Sequence, residues 1–369
     1  MLTRVKIENY RGFRSYRLDG ITTVNLFVGK NNSGKTALLE SIHLLASGGD
    51  PMVLVSAASR RGEVVSAGRE EAFLDISHFF HGHDIEPSSY FSLSGENGLP
   101  PVVVKAVPLS EVEAQPALFE DLRSARPAFA LMIEGWRAES KGGRPFILSE
   151  EGALLVDPRV PLRRYLGEER REGPPIVFIA PDSMAPVSLG AMWNQVLRDK
   201  QEGEIRRAMQ ILEPGLEDIV FQTGEYMYRP YDRFQVGRSG VLASFAGDPR
   251  RVPLGSMGDG MRRLLALSIS LIHAKGGYLI IDEIDTGFHY SIMAKMWELV
   301  VRTAKESKIQ VFATTHSADC VRGLGILCKR SPELQAEVSA HKIERDLDNG
   351  IAFTGAEVLN AVEQDIEIR

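Results

Sequence analysis

The sequence predicts an α/β fold built on a largely parallel sheet, and three observations carry that expectation. A strand-like run, "TTVNLFVG", feeds a glycine-rich loop and then a segment with apolar residues at helical spacing. Two further apolar runs, "YLIID" and "IQVFATT", read as buried strands, with a helical pattern between them. Strands alternating with helices imply parallel pairing with both faces covered. The 369 residues suffice for two or three domain-sized units, or for one large α/β unit with an insertion.

In chain order, "RVKIENYRGF" reads as a strand with no apolar signal segment before it. "KTALLESIHLLASGG" follows the loop as a helix that stops at Gly48-Gly49. Prolines at 87, 100, 101, 108, 116, 127, 145, 158, 161, 174 and 175 break up the region from about 50 to 250. Short β-like runs such as "PVVVKAV", "PAFALMIEGW" and "PPIVFIAP" alternate there with polar segments. A single helix is expected over "LGAMWNQVLRDKQEGEIRRAMQIL". From 252 the order becomes regular: helix "DGMRRLLALSISLIHAK", strand, then a helix over about 290–306 with Met293, Trp297, Val301 and Ala304 on one face.

Composition narrows the function classes. The chain is 44% apolar and 25% charged, an ordinary globular balance. A net charge of −6 does not make the molecule as a whole a polyanion binder. Arginine doublets at 60–61, 163–164, 170–171 and 262–263 leave local nucleic-acid contacts open, although such doublets are usually solvated faces. No apolar run approaches the roughly 18 residues of a membrane span, so no membrane partner is expected. Cys320 and Cys328 fit neither zinc spacing nor a disulfide framework, which points to a reducing cytoplasm.

Residues 29–36, "GKNNSGKT", fit G-x-x-x-x-G-K-[ST] at every fixed position. Gly29 and Gly34 let the backbone wrap a phosphate closely. The N–H groups along Asn31, Asn32 and Ser33, with the helix N-terminus, favour its charge. Lys35 would reach the β- and γ-phosphates, and the Thr36 hydroxyl would bind magnesium. The expected ligands are therefore ATP and Mg2+.

Such a loop needs a distant acid. "YLIIDEID" supplies Asp282 and Glu283 where a buried strand ends: Asp282 for the metal, Glu283 to orient or deprotonate the attacking water. An acidic pair at a strand end is often only the start of a polar loop, and the phosphate loop decides between the two readings. Thr315 and His316 end the next buried strand, where parallel sheets bind ligands, so His316 is expected beside the γ-phosphate.

Ser256 and Gly258 open a helix 26 residues before Asp282, in "VPLGSMGDGMRRLLALS". Together "IENYRGF", "GKNNSGKT", "SMGDG", "LIIDEID" and "TTHS" resemble the ABC-type ATPases, in the branch containing SMC proteins, RecF and the overcoming-lysogenisation-defect family. The resemblance covers about 1–48 and 210–345, the two lobes of an ATPase head with an antiparallel β lobe beside the parallel sheet. It implies that Ser256 and Gly258 contact the γ-phosphate held by a second subunit, so that two heads sandwich ATP as a homodimer or larger oligomer. It also implies that Asp285 lies in the D-loop, that His316 is the switch histidine and that Arg11 lies near the nucleotide. Met257 and Asp259 depart from the family's pattern, as does the missing proline after His289. No Q-loop stands out; "FLDISHFF", 73–80, is the stretch to search.

Thr36 and Ser256 stand 220 positions apart, a gap that SMC-type chains fill with a coiled coil. Prolines forbid sustained heptads here, so 50–210 is expected to be a compact insertion, partly ATPase lobe and partly an accessory subdomain for docking a partner. In "ERDLDNG", Glu344, Asp346 and Asp348 suggest a nuclease metal site, but only 21 residues follow Asp348. Two strands joined by a turn at Asn349-Gly350, with 346–369 as hairpin strand and tail, fit better. The expected function is an ATP-driven dimeric switch controlling a separately encoded nuclease or toxin, as in anti-phage defence. The alternative is a RecF-like ATPase that clamps duplex DNA. A transporter's nucleotide-binding subunit and a non-hydrolysing scaffold are weaker alternatives.

Overall fold

The computed structural model describes residues 1–67, 71–111, 127–135, 146–155, 173–181, 186–222, 240–345 and 347–368. The chain divides into two units: Met1–Thr22, Gly29–Pro174 and His341–Ala352 form the first, and Thr23–Val28, Pro175–Ala340 and Phe353–Arg369 the second. Asp346 and the arginine doublets at 163–164 and 170–171 lie outside the described residues.

Strands β1 (Arg4–Tyr10) and β2 (Phe13–Asp19) pair antiparallel, with Ile7 opposite Tyr16. The sequence reads as one strand through Phe13, whereas the structure turns sharply at Arg11, whose φ of 49° is left-handed. Strand β3 (Val24–Val28), buried throughout, belongs to the second unit and leads into the glycine-rich loop. Helix α1 (Lys35–Ala46) follows and ends where Gly48 and Gly49 return their N–H groups to the Leu45 and Leu44 carbonyls, both at 3.0 Å. Helix α2 (Pro51–Arg61) starts on Asp50, whose carboxylate accepts the Met52 N–H at 2.9 Å.

Strands β4 (Val64–Ala67) and β5 (Glu71–Leu74) form a small ribbon. Then come β6 (Tyr90–Glu96), β7 (Val102–Pro108), β8 (Pro127–Glu134), β9 (Phe146–Ser149) and β10 (Leu154–Leu155). They complete an antiparallel sheet in the order β10-β9-β8-β7-β6-β1-β2. In β7 the buried residues Val102, Val104 and Ala106 alternate with less buried neighbours, the period-2 signature of a sheet with one covered face.

The second unit continues with β11 (Ile176–Ile179), α3 (Pro186–Arg198) and α4 (Glu202–Met209). The single helix expected over this stretch is thus two. Lys200 takes a left-handed φ of 56°, and the Gln201 N–H caps the Val196 carbonyl at 3.0 Å, a helix stop made without glycine. A three-stranded antiparallel sheet of β12 (Leu216–Gln222), β13 (Gly240–Phe245) and β14 (Asp248–Pro253) precedes α5 (Asp259–His273). After it come β15 (Tyr278–Ile281), α6 (Met293–Ser307), β16 (Gln310–Thr314), α7 (Ala318–Arg330), β17 (Val338–Lys342), β18 (Ile351–Thr354) and α8 (Gly355–Glu363).

The main sheet runs β11-β15-β16-β3-β17-β18, and β11, β15, β16 and β3 are parallel neighbours. Parallel pairing puts the C-terminal ends of β15 and β16 on one edge, and the chain leaves that edge into Asp282 and Thr315. Register is fixed by a buried polar pair. Asn25 Nδ2 donates to the Val311 carbonyl at 3.0 Å, and its Oδ1 accepts from Ser339 at 2.8 Å, tying β3 to β16 and β17. The core beneath is centred on fully buried Trp297, with Met293, Val301 and Ala304 on the same helix face. Its indole N–H donates to the Cys320 carbonyl at 3.0 Å. Burial pushes the Cys328 thiol up to about 11 and that of Cys320 higher still, so neither is a ready nucleophile.

Asn349 and Gly350 do not form a tight turn. Asn349 bridges to Arg17, and the Gly350 N–H donates to the Arg17 carbonyl at 3.0 Å. The tail beyond β18 is helix α8, opened by a reciprocal capping box of Thr354 and Glu357.

His341, on β17, is fully buried, and burial holds its imidazole down to about 4. The unfolded chain, with an ordinary histidine near 6.5, binds this proton first as pH falls. Stability from this group is therefore complete above pH 6.5 and drains between 6.5 and about 4, at up to roughly 1.4 kcal/mol per pH unit. We expect His341→Gln to flatten that part of the urea-midpoint profile; an unchanged slope would contradict it.

Candidate nucleotide site

The phosphate loop is held open by its own backbone. Gly29 (φ 148°), Asn32 (61°) and Gly34 (101°) turn it, and the Lys35 ammonium donates to the Gly29 and Lys30 carbonyls at 2.7 and 2.8 Å. A Cβ on Gly29 would lie 2.5 Å from the Ile343 carbonyl oxygen, and one on Gly34 would lie 2.7 Å from the Phe13 ring. The loop leaves no room there for a side chain. Helix α1 begins on Gly34 without a side-chain cap, and no acid occupies its first turn. The buried Ser33 Oγ has no hydrogen-bond partner among the described residues. An uncapped helix N-terminus, an orphaned hydroxyl and a lysine at one loop suit an anion. Asn31 and Asn32 are exposed, and Thr36 is half-buried in the first turn of α1.

Gly29→Ala tests the cradle. Relieving the clash with a backbone carbonyl means opening the loop, and we expect ATP affinity to fall about tenfold or more in a nucleotide titration. Gly62→Ala, at a left-handed helix end with open space around it, should leave affinity unchanged.

The acidic residues after β15 lie within the second unit and are pinned by two threonines. Thr314 Oγ1 donates to Asp282 Oδ1 at 2.5 Å and accepts the Glu283 N–H at 2.8 Å. Thr315 Oγ1 donates to Asp285 Oδ1 at 2.5 Å and accepts the Ser317 N–H at 3.0 Å. These bonds fix the loop after β15 to the end of β16. Glu283 adopts a left-handed φ of 52°, costly for this residue and typical of a side chain aimed for function. Its half-exposed carboxylate accepts from Thr286 Oγ1 at 3.2 Å and lies 3.8 Å from His316 Nδ1. The structure thus brings Asp282, Glu283, Asp285 and His316 together. Sequence reasoning missed Thr314, although two adjacent hydroxyls closing a buried strand must find partners.

Ser256 lies in a short 3-10 turn (Leu254–Met257) anchored by buried Leu254. Gly258, at φ 93°, redirects the chain into α5, which also starts without a side-chain cap. Ser256 and Gly258 are exposed, and Asp259 pairs with Arg262 within the first turn. Arg11, which the resemblance implies lies near the nucleotide, has its own partners within the first unit. It is 4% exposed, with Nε 2.9 Å from Glu40 Oε2, Nη1 2.6 Å from Glu63 Oε1 and the guanidinium 4.2 Å from the centre of the Phe79 ring. Its donors serve the interior of the first unit. Along 73–80, the stretch searched for a Q-loop, Phe79 and Phe80 are buried apolar residues.

Two family models match the chain: "AAA ATPase domain" over residues 1–104, and "AAA domain, putative AbiEii toxin, Type IV TA system" over 204–319. The chain is similar to an "ATP/GTP phosphatase" of Helicobacter pylori, 20% identical over 348 residues, covering 87% of this chain and 86% of that protein. It is 51% identical over 47 residues to the "DNA replication and repair protein RecF" of Acinetobacter baumannii, a match spanning 13% of each. Among solved structures, an Smc head bound to the C-winged helix domain of ScpA aligns over 96% of this chain and 98% of its own, at 14% identity and a TM-score of 0.49. RecF from the RecFOR pathway aligns over the same shares at 14% identity and a TM-score of 0.42. Each of the two family models covers under a third of the chain, and both descriptions name an AAA domain. No helix among the described residues is long and apolar enough to cross a membrane. Both segments thus match models of AAA ATPase domains, which supports ATP hydrolysis by this chain.

Proposed function

We propose that this chain is an ATP-gated dimeric switch acting on a separately encoded effector, in anti-phage defence. The observation that carries the reading is the head of α5, where Ser256 and Gly258 present an exposed, uncapped helix N-terminus to solvent. A γ-phosphate held on the Gly29–Thr36 loop of a second copy is the anion that suits it. Two such contacts make ATP the link between the subunits. Within each head, Lys35 and the N–H groups of residues 31–34 bind the phosphates, and Thr36 and Asp282 are the residues that would hold Mg2+. When bound, Mg2+ neutralises charge on the β- and γ-phosphates. Glu283 orients the attacking water and takes its proton, with His316 beside it and Asp285 holding the loop. Turnover then reopens the dimer.

The toxin-related description of the model matched over 204–319 supports the defence setting. The local identity to RecF favours one second reading, a clamp on duplex DNA. The test is the native mass of the complex purified from its host with ATP and magnesium, wild type beside Glu283→Gln. A dimer or larger assembly carrying a second protein supports the switch; monomers in both samples sink it. Salt-sensitive stimulation of hydrolysis by duplex DNA would move the reading to the clamp.

A further inference from the structure

Arg263 stands on α5, one turn after Gly258, and is 5% exposed. Its Nε donates to the Thr286 carbonyl at 3.1 Å, while Nη1 and Nη2 are buried without a hydrogen-bond partner among the described residues. A guanidinium keeps its charge in a protein, and a buried charge with unspent donors is a costly arrangement. Burial pulls its pKa below the ordinary arginine value, opposed by Glu283, then Asp285, then Asp282. Two of these carboxylates are already held: Asp282 by Thr314 and Asp285 by Thr315, each at 2.5 Å. Among the described residues, the Glu283 carboxylate shows the 3.2 Å contact to Thr286 and the 3.8 Å approach of His316. It is the acid with capacity to spare.

The two segments are also joined through backbone. A Cβ on Gly260 would lie 3.1 Å from the Gly287 carbonyl oxygen, and one on Gly287 would lie 3.4 Å from Arg263 Cγ. The first turn of α5 and the loop after β15 therefore meet with almost nothing between them.

We propose that Arg263 is a positioning residue for Glu283: when nucleotide engages the Ser256–Gly258 turn at the head of α5, the free Nη groups close on the Glu283 carboxylate and fix its aim. Seating of the signature turn thereby sets the orientation of the group that addresses water, so occupancy of one site is coupled to chemistry at the other. The inference rests on the reading of Glu283 as the water-orienting residue.

The experiment compares wild type, Arg263→Met, Arg263→Lys and Glu283→Gln as full-length chains, by steady-state ATP hydrolysis and by thermal unfolding without nucleotide. Arg263→Met should lose kcat by about thirtyfold or more with KM within about threefold, the pattern of an interaction made only in the transition state. Its unfolding midpoint should not fall, because a buried, half-paired cation has been removed. Arg263→Lys, which keeps a cation but not the fork, should recover part of kcat. A kcat within about threefold of wild type for Arg263→Met, alongside an inactive Glu283→Gln, overturns the inference alone. A lost kcat with an equally depressed midpoint, unrescued by lysine, overturns it in favour of a structural role. Wild-type turnover by Glu283→Gln removes the reading of Glu283, and this inference with it.

Discussion

Glu283→Gln should lower steady-state ATP turnover by about 10²- to 10⁴-fold while ATP affinity stays within a few-fold of wild type. The size follows from what the substitution removes and what it leaves. Glutamine has the shape of glutamate and can still accept from Thr286 Oγ1. The backbone at 283 stays fixed by its N–H on Thr314 at 2.8 Å and by the Ile284 N–H on the Thr314 carbonyl at 3.0 Å. What disappears is the anion that can take a proton from water. Asp282, bound to Thr314 through its own carboxylate, is untouched. Phosphate release and nucleotide titration on the same samples separate the two effects. A variant that binds ATP and hydrolyses it at the wild-type rate would remove Glu283 from the chemistry and shift attention to His316.

How much of this was legible depended on whether the signal was local. The phosphate loop, its flanking strand and helix, and the acids after "YLII" are contiguous in sequence, and each carries its own physical reason: glycine where a Cβ would strike, apolar runs where a strand is buried, charge where the chain emerges. The parallel strands β15 and β16 followed from their continuous apolar runs, and the helix between them from its period. What stayed hidden depended on neighbours far along the chain. The break at Lys200 replaces a glycine stop by a left-handed lysine, and nothing in "RDKQEG" announces it. The turn at Arg11 reads as strand because its neighbours have strand propensity. The pairing of Thr314 with Asp282 and of Arg263 with the loop after β15 joins residues 32 and 23 positions apart. The helix after β18 is the exception: Thr354 followed by Glu357 is a capping box legible in "TGAE".

Arg11 separates what resemblance implies from what packing dictates, and Arg11→Met should decide between them. Glu40 is 2% exposed; one oxygen forms an ion pair with Arg11 Nε at 2.9 Å, and the other accepts from Arg61 Nε at 2.9 Å. Glu63 takes the remaining Arg11 donors at 2.6 and 3.2 Å. These four residues join the β1–β2 turn, α1 and α2. Removing Arg11 strands a buried carboxylate with one partner, and breaking a pair of this kind costs about 3–5 kcal/mol. Loss of the guanidinium stacked on Phe79 adds to that. The variant should therefore unfold at markedly lower urea with its slope unchanged. Adding Glu40→Gln should recover part of the loss, because the stranded charge goes with it. Nucleotide affinity should weaken only secondarily, through α1, whose first residue is Lys35 and whose buried face carries Glu40 five residues on. If Arg11 instead touched the nucleotide, Arg11→Met would raise KM while leaving the urea midpoint in place. The two outcomes differ in kind as well as size, since one moves the folding equilibrium of the first unit and the other moves only binding.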